Sequence, residues 1–459
     1  MSGASAIIGV PVKGHCMNFI TDYKLENYIL NTTWETIPKS VQERAVVCGI
    51  DLMIALILGS KGRQYATGKI VAQEIGSKGE IPIIDSDEHY NLFGATLVLG
   101  HASNSFDIDD GHNMVRGHPG TSFVAGILAA SLERDISYRE YLTTLVIAYD
   151  VAVRSGLAIQ DHYNYLHSTG TYGAVATAAG ISKVFGLSKE QLNNALSIAD
   201  FHAPLVPVMR AVEYPSMNKD GAPFGAVTGV LSVIETLAGY TGKTHLLELD
   251  DYRYLLDSLG SEFEIMNLYF KPFTCCRWSH PPILASQWLI KEHKISYQEI
   301  KSVKVKTFAA ATRLSKITPT LTDEAQYNIS YPIAAAIVHG DLGFLQVIEE
   351  NLSNVEVLNL MKKIDFIVDD TLEAAFPEKR QCIVELVLQD GKHYTSKVFE
   401  AIGESGDDVD LAWMTEKFLR ITKPVLNPSA QQQILGTLTD SDNLSVRQVM
   451  AVINKAMRS

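Results

Sequence analysis

Apolar residues recur at helical spacing through most of the first half of the chain. The run 41–58 has this spacing and is followed by Gly59, which predicts a helix with a defined end. The segments 121–132, 170–184 and 224–238 have the same character and are rich in alanine and glycine. Because small residues on helix faces let two helix axes approach closely, residues 25–240 are predicted to be mostly tightly packed helices.

The pattern changes after about Asn267. Valine and lysine alternate over 303–306, which is typical of a β-strand, and 364–368 is a second candidate strand. Two strand-like runs, 382–389 and 392–399, are joined by Asp390-Gly391, a two-residue turn that favours a β-hairpin. We therefore predict a smaller α+β segment from about 268 to 405, followed by a helical tail with helices over 411–421 and 446–456.

Composition limits the classes of protein. The 459 residues leave room for two or three domains, and 46% hydrophobic with 20% charged residues is ordinary for a folded protein. A net charge of −13 argues against nucleic acid and anionic membranes as partners. It does not argue against a small anionic substrate, provided that the pocket is locally basic. The most apolar run, 50–58, is too short to span a bilayer, so no membrane segment is predicted.

The cysteines favour a reduced, cytoplasmic protein. Their number is odd and no CxxC pair occurs among Cys16, Cys48, Cys275, Cys276 and Cys382. This spacing indicates neither a disulfide scaffold nor a zinc site. Residues 1–13 lack the apolar stretch of a signal peptide, so we expect a cytoplasmic location.

The densest polar cluster lies in a glycine-containing break between helical runs. It combines three acids, two histidines and one arginine: Asp107, Asp109, Asp110, His112, Arg116 and His118. The acids could cap the next helix or face water, or the cluster could carry chemistry, and composition leaves both interpretations open. Spacing excludes a calcium loop, because His112 and His118 stand where glycine and glutamate are required. The HExxH, GxSxG, GxGxxG and P-loop motifs are absent, so no metal and no nucleotide cofactor are expected.

Four later segments carry further candidates, each with a plainer alternative. His167 opens the small-residue helix of 170–184 but could simply pack there, and Lys219 precedes the helix of 224–238 but could be solvated charge. The segment 271–281 contains Cys275-Cys276-Arg277 and His280 near the proposed domain boundary, where binding sites are common. Adjacent cysteines without a lowered thiol pKa are more often inert. Tyr331 begins another apolar helix and could be part of the core.

Taken in order, these segments resemble the MmgE/PrpD family, which includes 2-methylcitrate dehydratases, cis-aconitate decarboxylases and iminodisuccinate epimerases. The resemblance covers nearly the whole chain and implies a mainly α fold. A large all-α helical domain would comprise 1–267 plus 406–459, and a smaller α+β lid domain would comprise 268–405. It also implies a homodimer that needs no organic cofactor. The family's active-site positions match Asp107, His118, His167, Lys219 and Tyr331, with His280 as a further match.

The resemblance implies catalysis on a small anionic polycarboxylate, by proton transfer at a carbon next to a carboxylate. We expect His118 and His167 to move protons, and Asp107 to orient one of them or act as its proton partner. Tyr331 would donate a hydrogen bond or a proton. The predicted substrate-binding residues, which would hold carboxylates together with Lys219, are His112, Arg277 and His280.

The type of reaction stays open between three alternatives. A lyase that dehydrates or decarboxylates a citrate-like or aconitate-like acid is the first. Family lyases usually have threonine directly after the acidic run, whereas this chain has Gly111 and then His112. This departure favours the second alternative, an isomerase of the iminodisuccinate epimerase type that inverts an α-carbon. The third is a non-catalytic, carboxylate-binding helical protein.

Overall fold

The first half of the chain folds into ten α-helices, as its helical periodicity predicts. The structure is a computed structural model that describes residues 22–441 and 443–459. The predictions for Cys16 and for the absence of a signal peptide in 1–13 lie outside these residues. The ten helices are α1 (Lys24–Asn31), α2 (Lys39–Gly59), α3 (Arg63–Glu74), α4 (Leu92–Ser103), α5 (Pro119–Arg134), α6 (Tyr138–Tyr163), α7 (Thr169–Phe185), α8 (Lys189–His202), α9 (Met209–Glu213) and α10 (Ala222–Leu237).

The second half mixes helices with strands. Its helices are α11 (His280–His293), α12 (Ala309–Thr312), α13 (Thr322–Gln326), α14 (Ser330–His339), α15 (Phe344–Val347), α16 (Val355–Met361), α17 (Asp370–Ala375), α18 (Leu411–Thr422), α19 (Pro428–Thr439) and α20 (Val446–Met457). The described strands are β1 (Lys78–Pro82), β2 (His89–Tyr90), β3 (Gly111–His112), β4 (Leu268–Tyr269), β5 (Ile300–Thr307), β6 (Ile364–Val368), β7 (Gln381–Leu388), β8 (His393–Thr395) and β9 (Phe399–Glu400). The protein is thus mainly α, as predicted.

The predicted strands of 300–400 form one sheet with the order β6-β5-β7-β8, and β9 also pairs with β7. The β5 and β6 strands are parallel, whereas β7 is antiparallel to β5, β8 and β9. The Asp-Gly hairpin is confirmed: Gly391 has a φ of 87° and its amide donates to the Leu388 carbonyl at 3.0 Å. The predicted strand of 392–399 is divided into two short strands, β8 and β9. Helix α19 was not predicted from the sequence. Helices α2, α5, α7, α10, α18 and α20 confirm the helical predictions within a few residues.

Small residues bring the helices of the first half into close contact, as their sequence predicted. A Cβ added to Gly225 of α10 would lie 2.2 Å from the Gly170 carbonyl oxygen of α7. A Cβ on Gly173 of α7 would lie 2.3 Å from Cβ of Ser122 on α5. Glycine is therefore required at both contacts, and α7 lies between α5 and α10 at the centre of the helical core.

The helical tail packs back onto the first half. Lys417 of α18 and Asp51 of α2 form a fully buried ion pair. Lys417 Nζ also donates to the Ile108 carbonyl at 2.9 Å, so the tail contacts the loop that contains the acidic cluster.

Helix α6 (Tyr138–Tyr163) is long and apolar enough to cross a membrane by length and composition alone, but 94% of its apolar window is buried inside the molecule. The bent pair α2 and α3 passes the same test only when the two helices are taken together, with 79° between them. Such burial is typical of a core helix.

Candidate active site

Two neighbouring cavities lie on either side of the segment 204–221. Met209 and Val212 of α9 face a small cavity of ≈ 160 Å³, whereas Arg210 and Glu213 face an open cavity of ≈ 960 Å³. The predicted site residues Asp107, His118 and Arg277 line the small cavity, and Lys219 lines the large one. The small cavity therefore contains most of the reactive groups.

The lining of the small cavity is locally basic, although the protein is acidic. Its ionisable side chains, other than cysteine and tyrosine, are Asp107, Arg116, His118, Asp220, Lys271, Arg277 and Arg380. Four of these side chains are ordinarily cationic and two are carboxylates, while histidine can be either neutral or cationic. The cavity thus meets the condition under which an acidic protein can bind an anionic substrate.

The short strands β3 and β4 bring two distant loops together at this cavity. Gly111 pairs with Tyr269 and His112 with Leu268, so the loop of 107–118 lies against the loop of 269–277. Asp107 has a φ of 51°, in the left-handed region that non-glycine residues rarely adopt. Such backbone strain persists where the surrounding structure fixes it, and it is common at functional sites.

His118 occupies the N-cap of α5, where Pro119 begins the helix. Its Nδ1 lies 2.8 Å from the Asp110 carbonyl and 3.2 Å from Asp109 Oδ2. Burial and the charge of Lys271 lower the pKa of His118, but the charge and hydrogen bond of Asp109 more than offset this effect, so the pKa rises to about 9. His118 is therefore an imidazolium at neutral pH and can donate a proton.

Lys271 supplies a second cation, which is fully buried. Its Nζ lies 2.8 Å from Asp107 Oδ1 and donates to the Asp107 carbonyl at 3.0 Å. Burial lowers the pKa of Lys271, but the charges of Asp107 and Asp109 raise it by more, so the net pKa is raised and the ammonium form is maintained. Lys271 and His118 can therefore both stabilise negative charge that develops in the cavity.

A tyrosine and an acid complete the polar wall. Tyr327 Oη donates to Asp220 Oδ2 at 3.1 Å, and both residues line the cavity. Burial raises the pKa of Asp220, although the charge of His118 counters this effect. The predicted Tyr331 lies elsewhere, in the first turn of α14, where its Oη donates to the Gln346 carbonyl at 2.7 Å.

His167 lies between the two cavities, since its neighbours Leu166 and Ser168 line the small and the large one respectively. It packs against Tyr165 with ring centroids 3.8 Å apart. Neither ring nitrogen has a hydrogen-bond partner among the described residues. Burial lowers the pKa of His167 to about 4, so the ring is neutral at pH 7.

Lys219 is fully engaged by protein acceptors. Its Nζ donates to the Asn104 carbonyl, to the Ser105 carbonyl at 2.6 Å and to Gln326 Oε1 at 2.6 Å. An ammonium has three donors, so a substrate carboxylate would have to displace one of these contacts.

The predicted substrate-binding residues differ in their positions. Arg277 lines the small cavity, stacks over the Tyr269 ring at 4.4 Å and contacts Glu404 Oε1 at 2.8 Å. His112 lies outside it, with Nε2 3.5 Å from Glu264 Oε2. His280 is also outside, with Nε2 3.1 Å from the Cys275 carbonyl. Burial and the charges of Arg277 and Lys271 lower the pKa of His280 well below its usual range, so this ring is neutral.

The cysteine pair has the properties of inert thiols. Cys276 lines the small cavity, and burial together with the charge of Asp107 raises its pKa to about 12. Burial likewise raises the pKa of Cys275 well above its usual range. Both thiols stay protonated at neutral pH, and thiol nucleophiles require the opposite shift.

Three residues near the small cavity could hold a cation by position alone. The ligand atoms of Asp107, Asp109 and His118 lie within 4.8 Å of one another. The Lys271 ammonium already occupies one side of Asp107, and His118 Nδ1 faces the Asp110 carbonyl. A second group, formed by Glu26, His245 and Glu248, lies outside the cavity. The prediction that no metal is required stays a prediction, which dialysis against a chelator would test.

Several lining residues had no predicted role. Lys271, Asp220 and Tyr327 lie within segments that the sequence singled out, each close to a residue that did receive a role. Arg380 lies just before β7, outside any such segment. Charge and proximity to a motif could have indicated the first three, but only the fold brings Arg380 to the cavity.

Comparison with known proteins decides the family. Residues 23–265 match the MmgE/PrpD N-terminal domain and residues 273–442 match the MmgE/PrpD C-terminal domain. The chain belongs to the MmgE/PrpD family. The resemblance predicted from its motifs is therefore confirmed.

Individual MmgE/PrpD relatives are distant in sequence. A cis-aconitate decarboxylase of Aspergillus terreus is 20% identical over 471 residues, covering 94% of this chain and 95% of that protein. A cis-aconitate decarboxylase of Homo sapiens is 20% identical over 399 residues, covering 79% of each chain. A probable 2-methylcitrate dehydratase of Saccharomyces cerevisiae is 26% identical over 238 residues, covering 47% of this chain and 46% of that protein.

Proposed function

We propose that this MmgE/PrpD chain is a cofactor-independent lyase that dehydrates or decarboxylates a small citrate-like or aconitate-like polycarboxylate. The observation that carries the proposal is the pair of cations, half-buried His118 and fully buried Lys271, in a small cavity with an excess of positive charge. The named relatives act on aconitate and methylcitrate, which supports the same substrate class. The cavity of ≈ 160 Å³ suits a small acid better than a nucleotide or a peptide.

The chemistry follows from where charge develops. In a decarboxylation, the C–C bond to one carboxylate breaks, CO₂ leaves, and the electron pair stays on the α-carbon until His118 protonates that carbon. In a dehydration, a base removes a proton from the carbon next to a carboxylate while an acid protonates the leaving hydroxyl. Fixed cations such as Lys271 stabilise the developing anion, which is usually the largest catalytic contribution.

Histidines with opposite pKa shifts suit opposite roles. The pKa of His118 is raised to about 9 and that of His167 is lowered to about 4. We assign the role of proton donor to His118. Asp109 orients one side of its ring, and Asp107 orients the other side, with Asp107 Oδ1 3.8 Å from His118 Nε2. The proton acceptor is His167 or Asp220, and Asp220 lines the cavity directly. Tyr327 takes the hydrogen-bonding role that the sequence gave to Tyr331.

We assign Lys219 a positioning role and no direct contact with a substrate carboxylate. Its three N–H donors already bond the backbone carbonyls of 104–105 and the side chain of Gln326. Lys219→Met should lower the free energy of unfolding by roughly 3 kcal/mol, because buried acceptors lose a charged donor. Exposed Lys423→Met is the control. An unfolding curve unchanged by Lys219→Met, together with a KM raised tenfold or more, would return Lys219 to the carboxylate-binding role.

One observation favours the epimerase alternative. Gly111 stands where family lyases usually have threonine, and a Cβ there would lie 2.1 Å from Tyr269 Cζ, so a threonine would require the Tyr269 side chain to shift. An epimerase would use the same pair of proton donor and acceptor, removing the α-proton on one face and returning it on the other.

Proton NMR in D₂O distinguishes these reactions. The purified protein is incubated in turn with 2-methylcitrate, citrate, cis-aconitate and iminodisuccinate. A new vinylic signal or the loss of a carboxylate supports the lyase, whereas deuterium entering an α-carbon without loss of water or CO₂ supports the epimerase. Binding without turnover of any of the four acids supports the non-catalytic carboxylate-binding protein and overturns the proposed lyase.

Three further expectations accompany this function. We propose that 268–405 is a lid domain on a helical domain of 1–267 plus 406–459, which limited proteolysis between the two parts would test. We propose a homodimer, with the exposed apolar residues Leu231 and Ile234 of α10 as a candidate contact surface, and light scattering on a Leu231→Lys/Ile234→Lys variant would test it. A cytoplasmic location is in keeping with the unpaired Cys48, Cys275, Cys276 and Cys382, and microscopy of a tagged chain would test it.

A further inference from the structure

Arg380 is a buried cation with no directly bonded counter-ion among the described residues. It is 8% exposed and lines the small cavity just before β7. Within the described residues, its guanidinium forms neither a hydrogen bond nor an ion pair. Burying a guanidinium without a paired acid is costly, so such a group usually has an anion as its partner in the functional state.

The surrounding charges do not supply that anion. Arg277 and Arg116 line the same cavity, and their charges together with burial lower the pKa of Arg380, while Tyr269 and Glu404 raise it. Glu404 is already committed, because Oε1 contacts Arg277 at 2.8 Å and Oε2 accepts from Asn113 at 2.9 Å. The cluster of Arg116, Arg277 and Arg380 therefore keeps an excess of positive charge that faces the cavity.

Arg380 reaches the cavity from a different part of the chain than the groups that would move protons. His118 and Lys271 are paired with Asp109 and Asp107, on the loops that β3 and β4 hold together. Arg380 comes instead from the strand-containing part of the chain, beside β7. One ligand bound in this cavity can therefore present one carboxylate to the reacting end and another to Arg380.

We infer that Arg380, supported by Arg277, forms a second carboxylate subsite, which restricts the substrate to acids with at least one carboxylate beyond the reacting group. This inference rests on the proposed function for the identity of the reacting end. Arg380 is a specificity-determining residue: its planar guanidinium can bind a carboxylate through two parallel N–H donors. It would also connect the two parts of the chain through the bound ligand.

The test is calorimetric binding of two unreactive acids: tricarballylate, which has carboxylates beyond the reacting end, and butyrate, which has a single carboxylate. Arg380→Gln should weaken tricarballylate binding by about 30-fold, in line with the loss of a charge-assisted hydrogen-bonded pair. It should weaken butyrate binding by less than about threefold, because butyrate has no second carboxylate to contact Arg380. The neighbouring Lys379, which is exposed and pairs with Glu400 at 3.4 Å, provides the control Lys379→Gln.

Folding and function are separated by further measurements. Arg380→Gln without ligand should unfold at the same temperature as the parent protein or higher, because the variant removes an unpaired buried charge. Arg380→Lys keeps the charge but loses the two-pronged geometry, so it should weaken tricarballylate binding to an intermediate extent.

Equal weakening of both acids by Arg380→Gln, no weakening of either, or failure of the parent protein to bind tricarballylate would each overturn the subsite. Selective weakening of tricarballylate, without turnover in the NMR experiment, would support the subsite and overturn only the proposed lyase.

Discussion

Lys271 Nζ and Asp107 Oδ1 lie 2.8 Å apart, with both side chains 1% exposed. Lys271→Met leaves the Asp107 carboxylate buried without its partner, so we expect the free energy of unfolding to fall by about 3–5 kcal/mol. Urea denaturation measures this loss, and the exposed Lys301→Met is the matched control. The combination Lys271→Met/Asp107→Asn removes both charges and should recover most of the loss. A double variant no more stable than Lys271→Met would show that the pair does not stabilise the fold as proposed.

Removing the proposed proton donor should lower the reaction rate. His118→Gln is expected to reduce kcat by roughly 10²–10⁴-fold, the usual contribution of a general acid or base. The measurement is steady-state turnover of whichever acid the NMR panel identifies. His393 of β8 is exposed, so His393→Gln serves as the control and should leave kcat unchanged. A His118→Gln variant with at least a third of the parent kcat would remove this residue from the mechanism.

The rate should depend on pH through the same histidine. The pKa of His118 is raised to about 9, so its proton is present at neutral pH and lost as pH rises through about 9. We therefore expect kcat/KM to fall with increasing pH around this value, and His118→Gln to lack that basic limb. Because the folded-state pKa lies above the unfolded one, this group stabilises the fold fully below about pH 6.5 and ceases to do so as pH rises through about 9. A flat profile from pH 8 to 10 would contradict the assignment.

Close helix packing predicts a contrast between two glycines. Gly225→Ala places a methyl group 2.2 Å from the Gly170 carbonyl oxygen and should lower the free energy of unfolding by about 1–3 kcal/mol or more. Gly436→Ala in α19 meets open space and should be neutral or raise stability by up to about 1 kcal/mol. Thermal unfolding of both variants measures the difference. Equal effects would show that α7 and α10 are not in direct backbone contact.

Local patterns in the sequence account for most of the secondary structure. The alternation over 303–306 and the Asp390-Gly391 turn predicted β5 and the β7–β8 hairpin, because residue spacing and turn chemistry act over short distances. The pairing of β3 with β4 was not predicted. Each strand has two residues, and the partners lie more than 150 positions apart, so no local periodicity marks them.

The site was predictable to a lesser extent. Three residues were predicted to be site residues because their side chains are acidic or basic, and all three line one cavity in the structure: Asp107, His118 and Arg277. That Tyr327 and not Tyr331 lines the cavity could not be predicted, because the two tyrosines lie four residues apart and the position of the start of α14 decides which one faces the cavity. Arg380 was not predicted, because it reaches the cavity only through the fold and no motif lies near it in the sequence.

The buried pair of Asp51 and Lys417 has a consequence for synthesis on the ribosome. Asp51 is translated 366 residues before its partner, an interval of roughly 20–70 s at bacterial or eukaryotic elongation rates. Throughout that interval the nascent helical half has an unpaired carboxylate next to the loop that will form the site. Emergence of α18 is therefore the event that supplies the missing partner, and ribosome-bound chains that end before α18 should associate with chaperones longer than chains that include it.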